Sequence, residues 1–308
     1  MHIQRGAWAE INLDAVAHNV QMAKANLKPT TKLCAVVKAD AYGHGAVRVA
    51  QEAARNGADF FAVALLQEGV KLREAGIEKP ILVLGSMLPE VAEICVRYDI
   101  SHAVFDEERL YALNAAALKL HTKAKIHIKI DTGMHRIGVH VRDAGRFAKL
   151  AASLPGIYIE GVFSHFATAD ADDKQYAAYQ FERFQEALHL IEAEGVHIPI
   201  RHIANSAALT ELQEYQLDMV RQGITLYGLH PAHMIDCYKD FEPVMTVKTQ
   251  VAFVKTLPPG ETIGYGRTYT LTRPSVIATV PIGYADGVSR RLSNHGYMLV
   301  NGKKAPII

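Results

Sequence analysis

A (β/α)8 barrel followed by a mainly antiparallel β domain is the α/β architecture that this sequence predicts. Between residues 30 and 230, short β-rich runs alternate with longer stretches of helical composition, and eight such runs occur, enough to close a parallel barrel. An open doubly wound sheet is the alternative. The G-x-G-x-x-G turn and the G-x-x-x-x-G-K-[ST] loop, with which such sheets cradle nucleotide phosphates, are absent. After about residue 240 the texture changes to β-branched runs, Pro-Pro-Gly and glycine-rich turns, without a helix-length pattern. The expected division is residues 1–240 for the barrel and 241–308 for the β domain.

In chain order the runs are KLCAVV, DFFAVAL, PILVLG, HAVF, KIHIKID, IEGVFSH, RHIANSA and MVRQGITLYG. In the fifth, Ile126, Ile128 and Ile130 alternate with His127, Lys129 and Asp131, which sends the isoleucines toward the helices and the polar side chains toward the barrel interior. Among the intervening helices, DDKQYAAYQFERFQEALHLIEAEG places Tyr176, Tyr179, Phe184, Leu188 and Ile191 near helical spacing, predicting that they form its apolar face. At the far end, GYMLVNGKKAPII reads as a hairpin turning at Asn301-Gly302. Its second strand stops while still apolar, so the chain is expected to be a portion of something longer.

Composition narrows the class. The chain has 308 residues, 49% of them hydrophobic, and can bury a large core. Lys+Arg (33) and Asp+Glu (32) nearly cancel, so no strong field recruits nucleic acid or an acidic membrane surface. Cys34, Cys95 and Cys237 lie far apart without C-x-x-C spacing, which predicts reduced thiols and a cytoplasmic home. The start has no basic region leading into an apolar one, and no apolar run approaches the length of a spanning helix. The 15 histidines show no H-E-x-x-H or paired Cys/His spacing, so no metal site is expected.

In such a barrel the chemistry collects at the carboxyl ends of the strands, and the polar oddities of this sequence fall there. The first strand leads to Lys38 and Tyr42, the fifth to Arg136 and the sixth to His165. The seventh carries His202 and ends in Asn205 and Ser206, and the eighth holds Arg221 before Gly223. Singly, each has a plainer reading. Lys38 reaches solvent, Ser206 caps the helix begun by ANSAALTEL, Arg221 pairs with Asp218, and Lys129 pairs with Asp131. Together they predict one polar pocket. A lysine partly desolvated at a barrel mouth has a lowered pKa, which makes its amine both a nucleophile and a proton acceptor.

AVVKADAYGHG, HIKIDTGMHRIG, FSHFATAD, IANSAA and VRQGITLYGL, followed by IGYGRTY and PIGYADG, resemble the alanine racemase family over the whole chain, in order and spacing. The resemblance implies a pyridoxal 5′-phosphate enzyme that interconverts L- and D-alanine, working as a homodimer whose active sites are shared between subunits. It makes Lys38 the amine that condenses with the cofactor aldehyde. It also assigns Tyr42, Ser206, Asn205 and the backbone of Gly223 and Ile224 to cofactor binding, Arg221 to the ring nitrogen and His202 to supporting Arg221. Arginine stays cationic and can only donate, so the ring nitrogen would remain a poor electron sink, which suits racemisation better than transamination or decarboxylation. The resemblance gives the second face of Cα to Tyr265 of the neighbouring subunit, with His165 linking Tyr265 to Arg221. It implies that Lys129 is carbamylated and holds Arg136, that Arg136 steers the phenolic oxygen of the cofactor, and that Tyr284 and Arg290 line the substrate entry. It implies further β domain beyond residue 308. Racemisation of another amino acid such as serine, decarboxylation of a basic amino acid, and a cofactor-carrier role are the competing readings.

Overall fold

The computed structural model describes residues 6–231 and 238–308, and the chain divides into two compact units. Cys237 lies outside the described residues, while Cys34 and Cys95 are buried free thiols. The larger unit, residues 12–244, contains eight parallel barrel strands among its described residues, β1 (Lys32–Val36), β2 (Phe60–Val63), β3 (Ile81–Val83), β4 (Ser101–Val104), β5 (Ala124–Asp131), β6 (Ile157–Phe163), β7 (Ile200–His202) and β8 (Met219–Gln222), and the short strand Val139–His140 pairs in parallel with the end of β5. They pair in chain order from β1 to β7, and β8 returns to pair with β1, with Arg221 opposite Cys34. Between β7 and β8, the Asp218 N–H donates to the Arg201 carbonyl and the Arg221 N–H to the Ala204 carbonyl, each at 3.1 Å, so the barrel is nearly closed.

Strands covered by helices on one side and by the barrel interior on the other are buried on both faces. β2 (FFAV) and β3 (ILV) are buried along their whole length. Cys34, Phe60, Leu82, Ile200 and Met219, from five strands, pack as one apolar cluster. β5 follows its predicted alternation: Ile126, Ile128 and Ile130 are fully buried, and His127 and Lys129 are buried on the opposite face.

The helix Gln175–Ala193 forms where its spacing predicts, but its inner face differs from the expected one. Ala177, Gln180, Phe184, Ala187, Leu188 and Ile191 are buried, whereas Tyr176 and Tyr179 are exposed. Gln180 takes the inward place because its amide is fully used: its oxygen accepts from the Ala167 N–H (2.8 Å) and its nitrogen donates to the His165 carbonyl (3.1 Å). Tyr176 lies at the rim and donates to the Gly133 carbonyl at 2.9 Å.

The second unit is antiparallel throughout its described strands. Ala7–Ile11 pairs with Met245–Thr249, Phe253–Leu257 with Ser275–Thr279, Thr262–Ile263 with Tyr269–Thr270, and Tyr297–Val300 with Lys303–Pro306. The strand Ala7–Ile11 therefore belongs with residues 245–308, where a boundary at residue 240 had grouped it with the barrel. Asn301 (φ 48°) and Gly302 (φ 75°) turn the last hairpin, both with the positive φ that a two-residue type I′ turn requires.

Candidate active site

Two residues past β1, Lys38 opens an unusual turn. Ala39, Asp40, Ala41 and Tyr42 all have φ between 52° and 54°, a turn of left-handed helix built without glycine. Each such residue costs roughly 1–2 kcal/mol relative to the right-handed form, so the surroundings must impose the shape. Asp40 Oδ1 accepts from the Ala46 N–H (3.0 Å) and pairs with Lys71 (3.3 Å), while Gly43 and Gly45, both at positive φ, release the chain into the next helix. The Glu68 carboxylate accepts from the Ala39 N–H at 2.5 Å, and from those of Ala64 (2.8 Å) and Leu65 (3.0 Å). Tyr42 meets the Tyr227 ring edge-on at 5.3 Å, and the Tyr227 hydroxyl donates to the Val36 carbonyl at 2.8 Å.

The turn borders a cavity of about 560 Å³ lined by residues that follow several barrel strands. Lys38 and Tyr42 come from the end of β1, Lys129 and Arg136 from β5 and its loop, His165 from the end of β6, and Arg221 from β8. Burial lowers the pKa of Lys38, and the nearby Arg136 lowers it further, against an opposing contribution from Glu68. Lys129 is pushed down to about 7, first by burial and then by Arg221. Its amine donates to the Ile130 carbonyl at 2.8 Å, and Asp131 binds His135 instead, so the plain Lys129–Asp131 pair is not formed. Nor does Arg221 pair with Asp218, which holds Arg201 at 2.7 Å.

Arg221 is a buried cation whose side-chain partners are histidines. Nη1 donates to His202 Nδ1 (2.7 Å), and Nη2 to His165 Nδ1 (2.9 Å) and to the carbonyls of Ser164 (2.8 Å) and Ile203 (3.0 Å). Burial lowers its pKa to about 10, so it stays charged at neutrality. Both histidines are held neutral, mainly by burial and next by the Arg221 charge. A guanidinium only donates, so His202 accepts at Nδ1 and carries its proton on Nε2. That proton goes to His127 Nδ1 (2.9 Å), and His127 donates from Nε2 to Glu160 Oε2 (3.0 Å). Burial pushes the Glu160 pKa up, but the hydrogen bonds and charge of its neighbours outweigh it and hold the carboxyl ionised. The negative charge that balances Arg221 thus lies two imidazoles away. By the same rule His165 keeps its proton on Nε2.

At the end of β7, Asn205 caps the helix Ser206–Glu211 by accepting from the Ala208 N–H at 3.1 Å. The plainer reading of Ser206 as the cap is therefore corrected: it is the first helical residue. Its Oγ accepts from the Gly223 N–H at 2.8 Å. A Cβ on Gly223 would stand 3.6 Å from that oxygen, in the niche the hydroxyl borders. Ile224 begins the next 3-10 turn, where N–H groups have no partner within the turn. Asn205, Ser206, Gly223 and Ile224 all line the cavity, and His202 lies behind Arg221.

Tyr265, Tyr284 and Arg290 belong to the β unit, each opening a 3-10 turn, and Tyr265 is 95% exposed there. Sequence reasoning passed over Glu68, Glu160 and the relay role of His127. A carboxylate inside the apolar run IEGVFSH was the available signal for Glu160. For Glu68 it was an acid at the third position of a helix, where it accepts from the N–H of the residue before the helix.

Among the described residues, the amines of Lys38 and Lys129 and the guanidinium groups of Arg136 and Arg221 line the cavity with one carboxylate, Asp170. This is the layout of a barrel enzyme that holds an anionic ligand beside a nucleophilic amine. Residues 11–231 match the family model described as alanine racemase, N-terminal domain, and residues 244–308 match the alanine racemase C-terminal domain. An alanine racemase of Desulfovibrio desulfuricans is 46% identical over 304 residues, 99% of this chain and 82% of that protein. The crystal structure of alanine racemase from a D-cycloserine-producing Streptomyces lavendulae superposes with a TM-score of 0.93 at 35% identity, covering 99% of this chain and 81% of that one. That of Bacillus anthracis, with bound L-Ala-P, superposes with a TM-score of 0.91 at 38% identity, covering 99% and 80%. The chain belongs to the alanine racemase family, whose cofactor is pyridoxal 5′-phosphate. The donor set fits that group: an amine for its aldehyde, and hydroxyls, a helix start and cations for its phosphate and phenolic oxygens.

Proposed function

We propose that this protein interconverts L- and D-alanine by moving a proton between the two faces of Cα, with Lys38 serving one face and Tyr265 the other. Pyridoxal 5′-phosphate, when bound, supplies an aldehyde for the amino group and a ring that acidifies the Cα–H bond. Ser206, Tyr42 and the backbone around Gly223 and Ile224 would hold its phosphate at the start of the Asn205-capped helix. Arg221 would donate to its ring nitrogen, and Arg136 would hold its phenolic oxygen, oriented by a carbamylated Lys129.

The observation that carries this reading is the buried Arg221 guanidinium. It is fixed by two neutral histidines and two carbonyls, so it can donate toward the cavity and cannot accept a proton from it. That favours return of a proton to Cα over reactions that draw the electron pair deep into the ring. Lys38, with its lowered pKa, accepts and returns a proton at one face. His165, keeping its proton on Nε2, donates toward the Tyr265 oxygen. Tyr265 is supplied by the second subunit of a homodimer, Tyr284 and Arg290 border the substrate entry, and the enzyme works in the cytoplasm. Among the described residues no helix is long and apolar enough to cross a membrane.

The test is a panel of L-amino acids with products read by chiral chromatography, together with borohydride reduction of the holoenzyme. The expected result is D-alanine formation well ahead of D-serine, with the cofactor fixed to the peptide that contains Lys38. A reduced adduct on another lysine, or no turnover of alanine, contradicts the proposal.

A further inference from the structure

We propose that Glu68 is a positioning residue for Lys38: its carboxylate clamps the left-handed turn that aims the Lys38 amine into the cavity. The inference rests on the reading of Lys38 as the cofactor-bearing lysine.

The turn from Ala39 to Tyr42 has no glycine to make a left-handed path inexpensive, yet it fixes the course of the chain immediately after Lys38. Glu68 stands in the first turn of the helix Leu66–Glu74, which follows the neighbouring strand β2. One carboxylate oxygen takes the Ala39 N–H and the other takes those of Ala64 and Leu65, so a single side chain joins the ends of β1 and β2. Three donors converge on two oxygens, and only a carboxylate offers acceptors on both sides. Glutamine keeps the shape and one acceptor but turns an NH2 group toward at least one backbone N–H. Asp40 and Lys71, one helical turn beyond Glu68, form an exposed ion pair at 3.3 Å that also ties this helix to the turn but leaves the Ala39 N–H to Glu68. Burial and Arg136 lower the Lys38 pKa and Glu68 opposes them, so the same carboxylate also supplies negative charge to the surroundings of the amine.

Full-length chain is stripped of cofactor, and the rate at which Lys38 captures added pyridoxal 5′-phosphate is measured by borohydride trapping and peptide mass spectrometry. In Glu68→Gln, the loss of a charged hydrogen-bond clamp is expected to slow capture roughly 10- to 100-fold. In the holoenzyme kcat should fall by a similar factor, with KM for alanine within about threefold of wild type. Glycine enters the left-handed region without a Cβ penalty, so Ala39→Gly added to Glu68→Gln should recover capture about tenfold, while Ala39→Gly alone changes it less than about threefold.

Wild-type capture rates in Glu68→Gln overturn the proposal, as does a loss that Ala39→Gly leaves unrelieved. If Glu68→Gln does not fold, the double variant is compared with Ala39→Gly alone; capture within about threefold supports the clamp and a gap above about tenfold overturns it. A wild-type adduct on a lysine other than Lys38 would instead refute the reading on which the inference rests, and the peptide map separates the two failures.

Discussion

Arg221 and Lys129 share one physical problem, a cationic group inside a barrel, and resolve it in opposite ways. Arg221 keeps its charge because four acceptors surround it and because a guanidinium holds its proton far above neutrality. Lys129 has one carbonyl acceptor and a ring face at 5.3 Å, and burial beside Arg221 brings it to about 7. An amine titrating there is a nucleophile at physiological pH, which is the property carbamylation needs. The protein in 13C-bicarbonate should therefore show a carbamate carbon resonance that is absent in Lys129→Arg. Only the unprotonated amine attacks carbon dioxide, so the signal should grow as pH rises through about 7 and fade below it. A resonance that persists in Lys129→Arg would place the carbamate elsewhere. At this scale the gathering of Lys38, His165 and Arg221 around one cavity was legible, because residue type and strand end coincide there. The parts played by Glu160 and Glu68 were not legible, because their roles depend on which residues of other strands face them, and that is fixed only by closure of the barrel.

At the scale of elements, the chain of side chains behind Arg221 depends on a backbone accommodation in β6. A Cβ on Gly161 would lie 2.4 Å from His127 Nδ1 and 2.7 Å from the Ile200 carbonyl oxygen. The absent side chain is what lets the His127 ring reach both His202 and Glu160. Gly161→Ala should therefore cost about 1–3 kcal/mol through overpacking, a fall in Tm of roughly 2–10 °C. It should also lower racemase activity by disturbing the support of Arg221. An unchanged Tm with unchanged activity would mean that the His127 ring does not occupy this place. Element positions followed from periodicity, yet the inner face of the helix Gln175–Ala193 did not: Tyr176 and Tyr179 match the apolar spacing, but Gln180 finds partners at Ala167 and His165 that no local pattern announces. Likewise the turn after β1 looks in sequence like an ordinary lysine-to-glycine exit, because left-handed alanines leave no compositional trace.

The whole molecule couples two textures that the sequence separates well, a parallel barrel and an antiparallel unit, apart from the strand Ala7–Ile11, whose partner Met245–Thr249 is remote in sequence. The proposed chemistry draws one base from each texture, Lys38 from the barrel and Tyr265 from the β unit, with Tyr265 coming from the second subunit. A Lys38→Ala subunit and a Tyr265→Ala subunit, each nearly inactive as a homodimer, would be dissociated, mixed and reassembled. If the bases meet across a two-fold interface, each hybrid dimer has one site with both substitutions and one with neither. Random pairing makes about half of the dimers hybrid, so about a quarter of the wild-type activity per site should return. Hybrids that form and recover no activity would contradict the account, placing the two residues in one subunit's site or in separate sites.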